Sequence, residues 1–258
     1  MTAPPVPARR SGSSEWLRSL GLMIRHDAIA LRSYLVTVLM IQTLMGAGMG
    51  IMYGLYLGEL PPGAATYLVA GIPALALFPI GFVLVPGVIS DQRWEETYDY
   101  TWSLPVPRTA AAAASMLLFT TLAIPGTAVA LVVSTLAYDV VLTPSWMLVP
   151  AVLGVSAMAT SVGYAFGHGI KNPRTTNLIT NALIFGVLMF TPIVVPISQF
   201  PAGLAAVHRV LPFWHMAEVL RASLTDGIVE GVAGHWLVLG AWTVAGWAVA
   251  LRVISRRG

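Results

Sequence analysis

Charge is missing from most of this chain. No Asp, Glu, Lys or Arg occurs in 109–138, 140–167, 175–208 or 231–251, and Glu59 alone interrupts the stretch between 33 and 90. A helix needs about 20 apolar residues to cross a bilayer, and these runs are that long. Overall only 10 % of residues are charged and 57 % are hydrophobic, whereas roughly a quarter of a soluble domain is charged. The chain therefore reads as an all-α integral membrane protein.

Six transmembrane helices are predicted, at about 35–57, 68–89, 110–137, 147–167, 177–198 and 235–252. Each is bounded by a charge, a Pro/Gly cluster or an interfacial aromatic such as Trp146 or Trp236. With the N-terminus placed in the cytoplasm, the inner segments carry Arg9, Arg10, Arg18, Arg25, Arg32, Arg93, Arg108, Lys171, Arg174, Arg252, Arg256 and Arg257. The outer loops carry only Arg209 and Arg221. Twelve against two is a strong positive-inside bias and sets both termini in the cytoplasm. The net charge of +3 thus follows membrane sidedness and points to no nucleic acid. Residues 1–13, rich in Pro and Ser, read as a disordered extension and no signal peptide. Residues 253–258 read as a cytoplasmic tail. Thirteen of the fourteen basic residues are Arg, a usage in keeping with a GC-rich bacterial genome and so with a bacterial plasma membrane.

Against this background Ser90–Arg108, SDQRWEETYDYTWSLPVPR, is exceptional. Ser90 suits an N-cap, Asp91 suits the positive end of a helix, and Pro105 and Pro107 stop one. Trp94, Tyr98 and Trp102 recur at i, i+4, i+8 on one face, and Asp91, Glu95 and Asp99 do so on another. The spacing predicts a short amphipathic helix over 91–104, in the cytoplasm. A helix that merely lies on headgroups usually has a basic polar face, because the inner leaflet is anionic. An acidic face fits better against a basic protein.

These residues resemble a known pattern. D-Q-R-W-E-E-T-Y-D-Y-T-W-S-L-P-V-P-R is similar to the E-R-E-x-G-T-x-x-x-L-x-S-L-P-V-x-R segment of type-two ABC exporter permeases, the ABC-2 type transporter permease family. There the segment forms the coupling helix that docks on the ATPase subunit. The resemblance implies a docking surface of Asp91, Arg93, Trp94, Glu95, Glu96, Thr97, Tyr98 and Asp99. Glu96 departs from the pattern, since the family often has Gly there. A second segment, Phe200–Leu224, resembles the family's Pro-spaced stretch before the last span. Pro201 and Pro212 sit where helices could start, and Glu218 and Arg221 pair at i, i+3. The resemblance implies that these helices, within 201–226, are external and re-entrant. It covers nearly the whole chain after residue 14.

The remaining segments fit the same scheme. Residues 14–34 predict a basic amphipathic helix, with Arg18, Arg25 and Arg32 on one side. Such a helix lies in the interface, its Arg side chains reaching to phosphates. It resembles the family's connecting helix, which also touches the ATPase, and contact with membrane lipid alone is an equal reading. Gly46, Gly50, Gly54 and Gly58 form a ridge for close helix packing, within the subunit or between subunits. Pro73, Pro79 and Pro86 in the second span, and Pro192 and Pro196 in the fifth, predict bent helices. In the family the second and fifth spans line the pathway, which makes Leu75, Phe78, Phe82, Asn181, Phe185 and Met189 its expected lining. Ordinary packing competes for each of them.

Several chemistries are excluded or disfavoured. The chain has no cysteine, so disulfides and thiolate sites are out. Its only lysine, Lys171, lies in G-H-G-I-K-N-P, so there is no P-loop, and ATP and Mg are expected on a separate partner ATPase, none being bound by this chain. His208, His215 and Glu218 lack a metal-site spacing, and no metal is expected. No charge sits mid-membrane, which disfavours an ion-coupled carrier. A six-span serine protease would need Ser156 in G-V-S-A to meet His235, an unfavourable placement.

The sequence therefore reads as a permease subunit of an ATP-driven exporter for a hydrophobic or amphiphilic drug, antibiotic or lipid, and not itself an enzyme. A second permease subunit and ABC ATPase subunits are the expected partners. Export of a polysaccharide or other polymer is the alternative, and a transporter-like sensory or regulatory protein a further one.

Overall fold

The computed structural model describes residues 12–32, 34–58 and 60–255, and these are helical with no strand among them. Residues 1–11 of the expected extension, Glu59 and residues 256–258 of the expected tail lie outside the described residues.

The chain opens with α1 (Ser13–Leu31). Met23 is buried against Ala111 and Ala114, with Leu20 and Ile24 beside it. Arg18, Arg25 and Arg32 stay exposed. The Trp16 indole donates to Thr109 Oγ1 at 3.0 Å, which fixes the start of α1 against the chain's third long helix.

The first apolar run is α2 (Leu35–Thr43) and α3 (Met49–Leu57), joined by a π-helical segment at Leu44–Gly48. The second is α4 (Pro62–Pro79) and α5 (Val85–Trp94), joined by a π-helical segment at Ile80–Leu84. The second interruption has a visible cause. Pro79 has no N–H for the Leu75 carbonyl and Pro86 has none for Phe82, so the regular ladder loses bonds on both sides of the segment. α5 runs straight on to Trp94, so Ser90 is no N-cap. It lies inside the helix, buried, and its hydroxyl donates to the Pro173 carbonyl at 3.2 Å.

The short α6 (Tyr98–Ser103) follows, then α7 (Arg108–Tyr138), α8 (Leu148–Gly169) and α9 (Pro173–Phe190). α9 stops well before the expected 198, because a residue before proline is pushed out of the helical region. Thr191, before Pro192, is extended at φ −97°, ψ 134°. Next come α10 (Ala202–His208), which follows Pro201, and α11 (Pro212–Leu224), which Pro212 opens. α12 (Val232–Ser255) ends the described chain.

Among the described residues, five segments are long and apolar enough to cross a membrane: Leu35–Tyr53, Gly63–Trp94, Arg108–Tyr138, Leu148–Gly169 and Val232–Ile254. α9 is not among them. Its first turns carry Arg174, Thr175, Thr176, Asn177, Thr180 and Asn181, which lower its apolar content.

Glycines set the closest helix crossings. A Cβ at Gly46 would lie 2.4 Å from Ala130 Cβ, and one at Gly50 would lie 2.7 Å from Ile72 Cδ1. Those two positions of the ridge therefore pack inside the subunit, on α7 and α4. What surrounds Gly54 lies outside the described residues. A Cβ at Gly163 would reach 1.7 Å from the Gly81 carbonyl oxygen, so α8 crosses the π-helical part of the second span backbone to backbone. The core lies where α4, α5, α8, α11 and α12 meet, around Phe78, Met158, Met216, Leu220 and Leu239.

Candidate functional site

The charged end of the molecule gathers the ends of α5, α8 and α12 and the starts of α6, α7 and α9. Its turn between α5 and α6 is built by Glu96. That residue has φ +60°, in the left-handed region that glycine tolerates best. The predicted single helix over 91–104 is therefore two helices, with a break at 95–97. The break rotates α6, so the expected aromatic stripe does not hold. Trp94 is 66 % exposed, Tyr98 is buried, and Trp102 is half-buried.

Two of the eight residues expected at the docking surface turn inward. Arg93 donates to the carbonyls of Gly167 (2.7 Å), His168 (3.1 Å) and Ile170. These belong to the last turn of α8 and the residue after it, where helix carbonyls lack intrahelical partners and the dipole is negative. The guanidinium lies 4.6 Å from the Tyr98 ring centre, and Tyr98 Oη meets His168 Nδ1 at 2.7 Å. Arg93 and Tyr98 thus lock the α5–α6 turn onto α8. Asp91, Glu95, Glu96, Thr97, Asp99 and Trp94 remain on the surface. Arg174 lies 5.8 Å from the Trp94 ring. Arg108 donates to the Ile254 carbonyl at 2.8 Å, tying the start of α7 to the end of α12.

The opposite end holds a buried ion pair. Arg221, which is fully buried, donates to Glu218 Oε1, to the Tyr67 carbonyl (3.1 Å) and to the Ile193 carbonyl (2.6 Å). Its guanidinium stacks 3.5 Å from the Tyr67 ring centre. Glu218 Oε1 also accepts from Tyr67 Oη and from the Trp214 indole, both at 3.0 Å. Gly71 makes room for this, since a Cβ there would lie 2.6 Å from an Arg221 nitrogen. The pair joins α11 to α4 and to the segment after α9.

Beside it, His215 Nε2 meets the Arg209 carbonyl at 3.0 Å and so carries the hydrogen. His215 Nδ1 then accepts from His235 Nδ1 at 2.8 Å. Burial pushes the His215 pKa below its ordinary value; the nearby carbonyl and Glu218 oppose this weakly. Burial lowers that of His208 as well. His208, His215 and Glu218 do not converge, and the described residues hold no group of three metal-ligating side chains. Ser156 Oγ is buried with no hydrogen-bond partner among the described residues, and His235 is taken by His215, so no Ser–His dyad forms.

The residues expected to line a pathway fall into two sets. Leu75, Phe78 and Phe82 are buried in the subunit's own core. Phe78 and Phe82 stack at 5.2 Å, and Phe213 of α11 packs on both. Phe213 thus covers the rings of Phe78 and Phe82 within this chain. Asn181, Phe185 and Met189 share the exposed face of α9, with Phe185 67 % and Met189 70 % exposed.

The Arg93 anchor and the histidine pair were not foreseen. The signal for Arg93 was weak: a lone Arg at the charged end of the second span, whose carbonyl partners lie at the end of α8.

The fold and these two ends define a multi-pass helical membrane protein whose spans are tied together at each face by polar locks. A family model described as "ABC-2 family transporter protein" matches residues 56–252, most of the chain. The chain belongs to that family and is a permease component of an ABC transporter. No curated protein matches it.

Proposed function

We propose that this permease exports a hydrophobic or amphiphilic compound, driven by ATP hydrolysis on a separate ATPase chain that holds the ATP and Mg. The observation that carries the coupling role is the exposed acidic turn at the charged end. Asp91, Glu95, Glu96 and Asp99 face outward, while Arg93 and Tyr98 bolt the same turn to α8. A push on the turn is thus delivered to α5 and α8 as a rigid unit. In this reading the membrane is a bacterial plasma membrane, and this end and both termini are cytoplasmic, which the positive-inside bias supports. α9 then crosses as a sixth span, and α10 and α11 form the external, re-entrant part.

The exposed face of α9, with Asn181, Phe185 and Met189, is the surface on offer to a second permease subunit and to cargo. Leu75, Phe78 and Phe82 act by packing. An apolar face of this kind favours amphiphilic cargo over a polysaccharide.

Co-expression with ABC ATPase subunits from the same genome tests the reading. Reversing Glu96 and Asp99 to Lys is expected to abolish co-purification, or to leave ATP hydrolysis uncoupled from transport. A stable, normally coupled complex would refute the docking role.

A further inference from the structure

We propose that a cavity of about 330 Å³ between α1, the end of α5, α6, and the facing parts of α7 and α8 binds an organic cation carried on an aromatic or apolar body. The volume is at the lower end of the range for small-molecule sites, roughly 300–1,000 Å³, so the ligand is compact. The cavity lies within one chain and apart from the α9 face; it shares Asp91 and Glu95 with the acidic turn, and a cation site there goes beyond the transport reading.

Three features select the ligand's chemistry. The cavity's inner wall is apolar, with Ile89 and Phe119 buried. Trp102 and the buried Tyr164 supply aromatic surface, and aromatic faces attract cations. The carboxylates of Asp27, Asp91 and Glu95 line the same space, and none of its described lining residues is Lys or Arg. Asp27 is held in place: Ser115 Oγ donates to Oδ2 at 2.7 Å, and His26 Nδ1 lies 3.0 Å from Oδ1. Its side chain is only 15 % exposed, so the negative charge is partly withdrawn from water; His26 beside it and His168 across the space are the histidines of the lining. An anion would be repelled. A bare metal ion is a poor fit, since the described residues hold no metal-ligating group of three and the inner wall is apolar. An ammonium or ring nitrogen on an apolar body satisfies both halves of the lining.

Titrating the full purified chain in sugar-detergent micelles tests this. The probes are fluorescent 10-methylacridinium and acridine, its neutral counterpart at mildly alkaline pH. The cation is expected to bind about tenfold more tightly than the neutral ring, as one partly desolvated charge contact implies. Asp27→Asn should remove most of that difference and leave acridine unchanged. Glu95→Gln, on the exposed turn, should lower cation affinity by a smaller factor and serves if Asp27→Asn fails to fold. Equal affinity for the two probes, or unchanged cation affinity in a folded variant of either kind, overturns the proposal. Such cations have two sources. Competition by added phosphatidylethanolamine assigns the site to a lipid headgroup, and its absence to a soluble compound; either supports cation recognition. Because binding is read without the ATPase, a failed transport assay leaves this result standing.

Discussion

At the residue scale, the chain's polar side chains are spent on locking helices together. Arg221 is the clearest case. Buried charge is costly unless paired and fully hydrogen-bonded, and here Glu218 Oε1 and the carbonyls of Tyr67 and Ile193 satisfy the guanidinium. Arg221→Leu leaves Glu218 buried and uncompensated, and is expected to cost about 3–5 kcal/mol, read as a lowered melting temperature in detergent. The double variant with Glu218→Leu should recover part of that loss. The i, i+3 spacing of this pair was legible in the sequence. Tyr67 and Trp214 were not, because nothing in a sequence says which distant hydroxyl or indole will reach a carboxylate. Glu96 is a second case. Its departure from the family's Gly falls at a left-handed turn, so Glu96→Gly should change stability by less than about 1 kcal/mol. A β-branched residue there should cost about 1–2 kcal/mol. The histidine pair sets a pH dependence. The His215 pKa is lowered in the fold, so the unfolded chain binds more protons near pH 6. Stability is therefore full above the ordinary histidine range and falls as pH drops through it towards the lowered value. His215→Gln should flatten the acid limb of a melting-temperature profile.

At the scale of elements, proline and glycine decide how the spans are shaped and how closely they approach. The apolar runs were legible as helices because a bilayer leaves the backbone few other choices. Their ends and breaks were less so. Ser90 looked like an N-cap, yet α5 continues through it, since nothing between Pro86 and Trp94 interrupts the ladder. The single helix expected over 91–104 breaks at Glu96, where a backbone sign rather than a residue type marks the turn. The glycine ridge was visible, but its partners were not: Gly46 and Gly50 face α7 and α4 of the same chain. The Gly81–Gly163 crossing is the tightest of these contacts. Gly163→Leu would drive a side chain into the Gly81 carbonyl and separate α8 from the second span. It is expected to abolish a monodisperse elution peak of the purified chain, while Gly186→Leu on α9, where a Cβ meets nothing within 4 Å, should leave the peak intact.

At the scale of the molecule, one question organises the rest: whether α9 crosses the membrane. At 18 residues and about 1.5 Å per residue it is roughly 27 Å long, just short of the ~30 Å hydrocarbon core. Its polar first turns can lie among headgroups, and the irregular segment 191–196 is tied down at Ile193 by Arg221 rather than left in lipid. Sidedness follows from this. If α9 crosses, Lys171 and Gln199 lie on opposite faces; if it does not, they share one. The native chain has no cysteine, so single substitutions report without background. Labelling intact cells with a membrane-impermeant maleimide should mark Gln199→Cys and Ser145→Cys and leave Lys171→Cys and Ser103→Cys unmarked until the membrane is opened. Labelling of Lys171→Cys from outside would invert or fold back that part of the chain. The acidic turn would then need a different partner, because Arg93 bonds the turn to the end of α8, next to Lys171, and the two must lie on the same side.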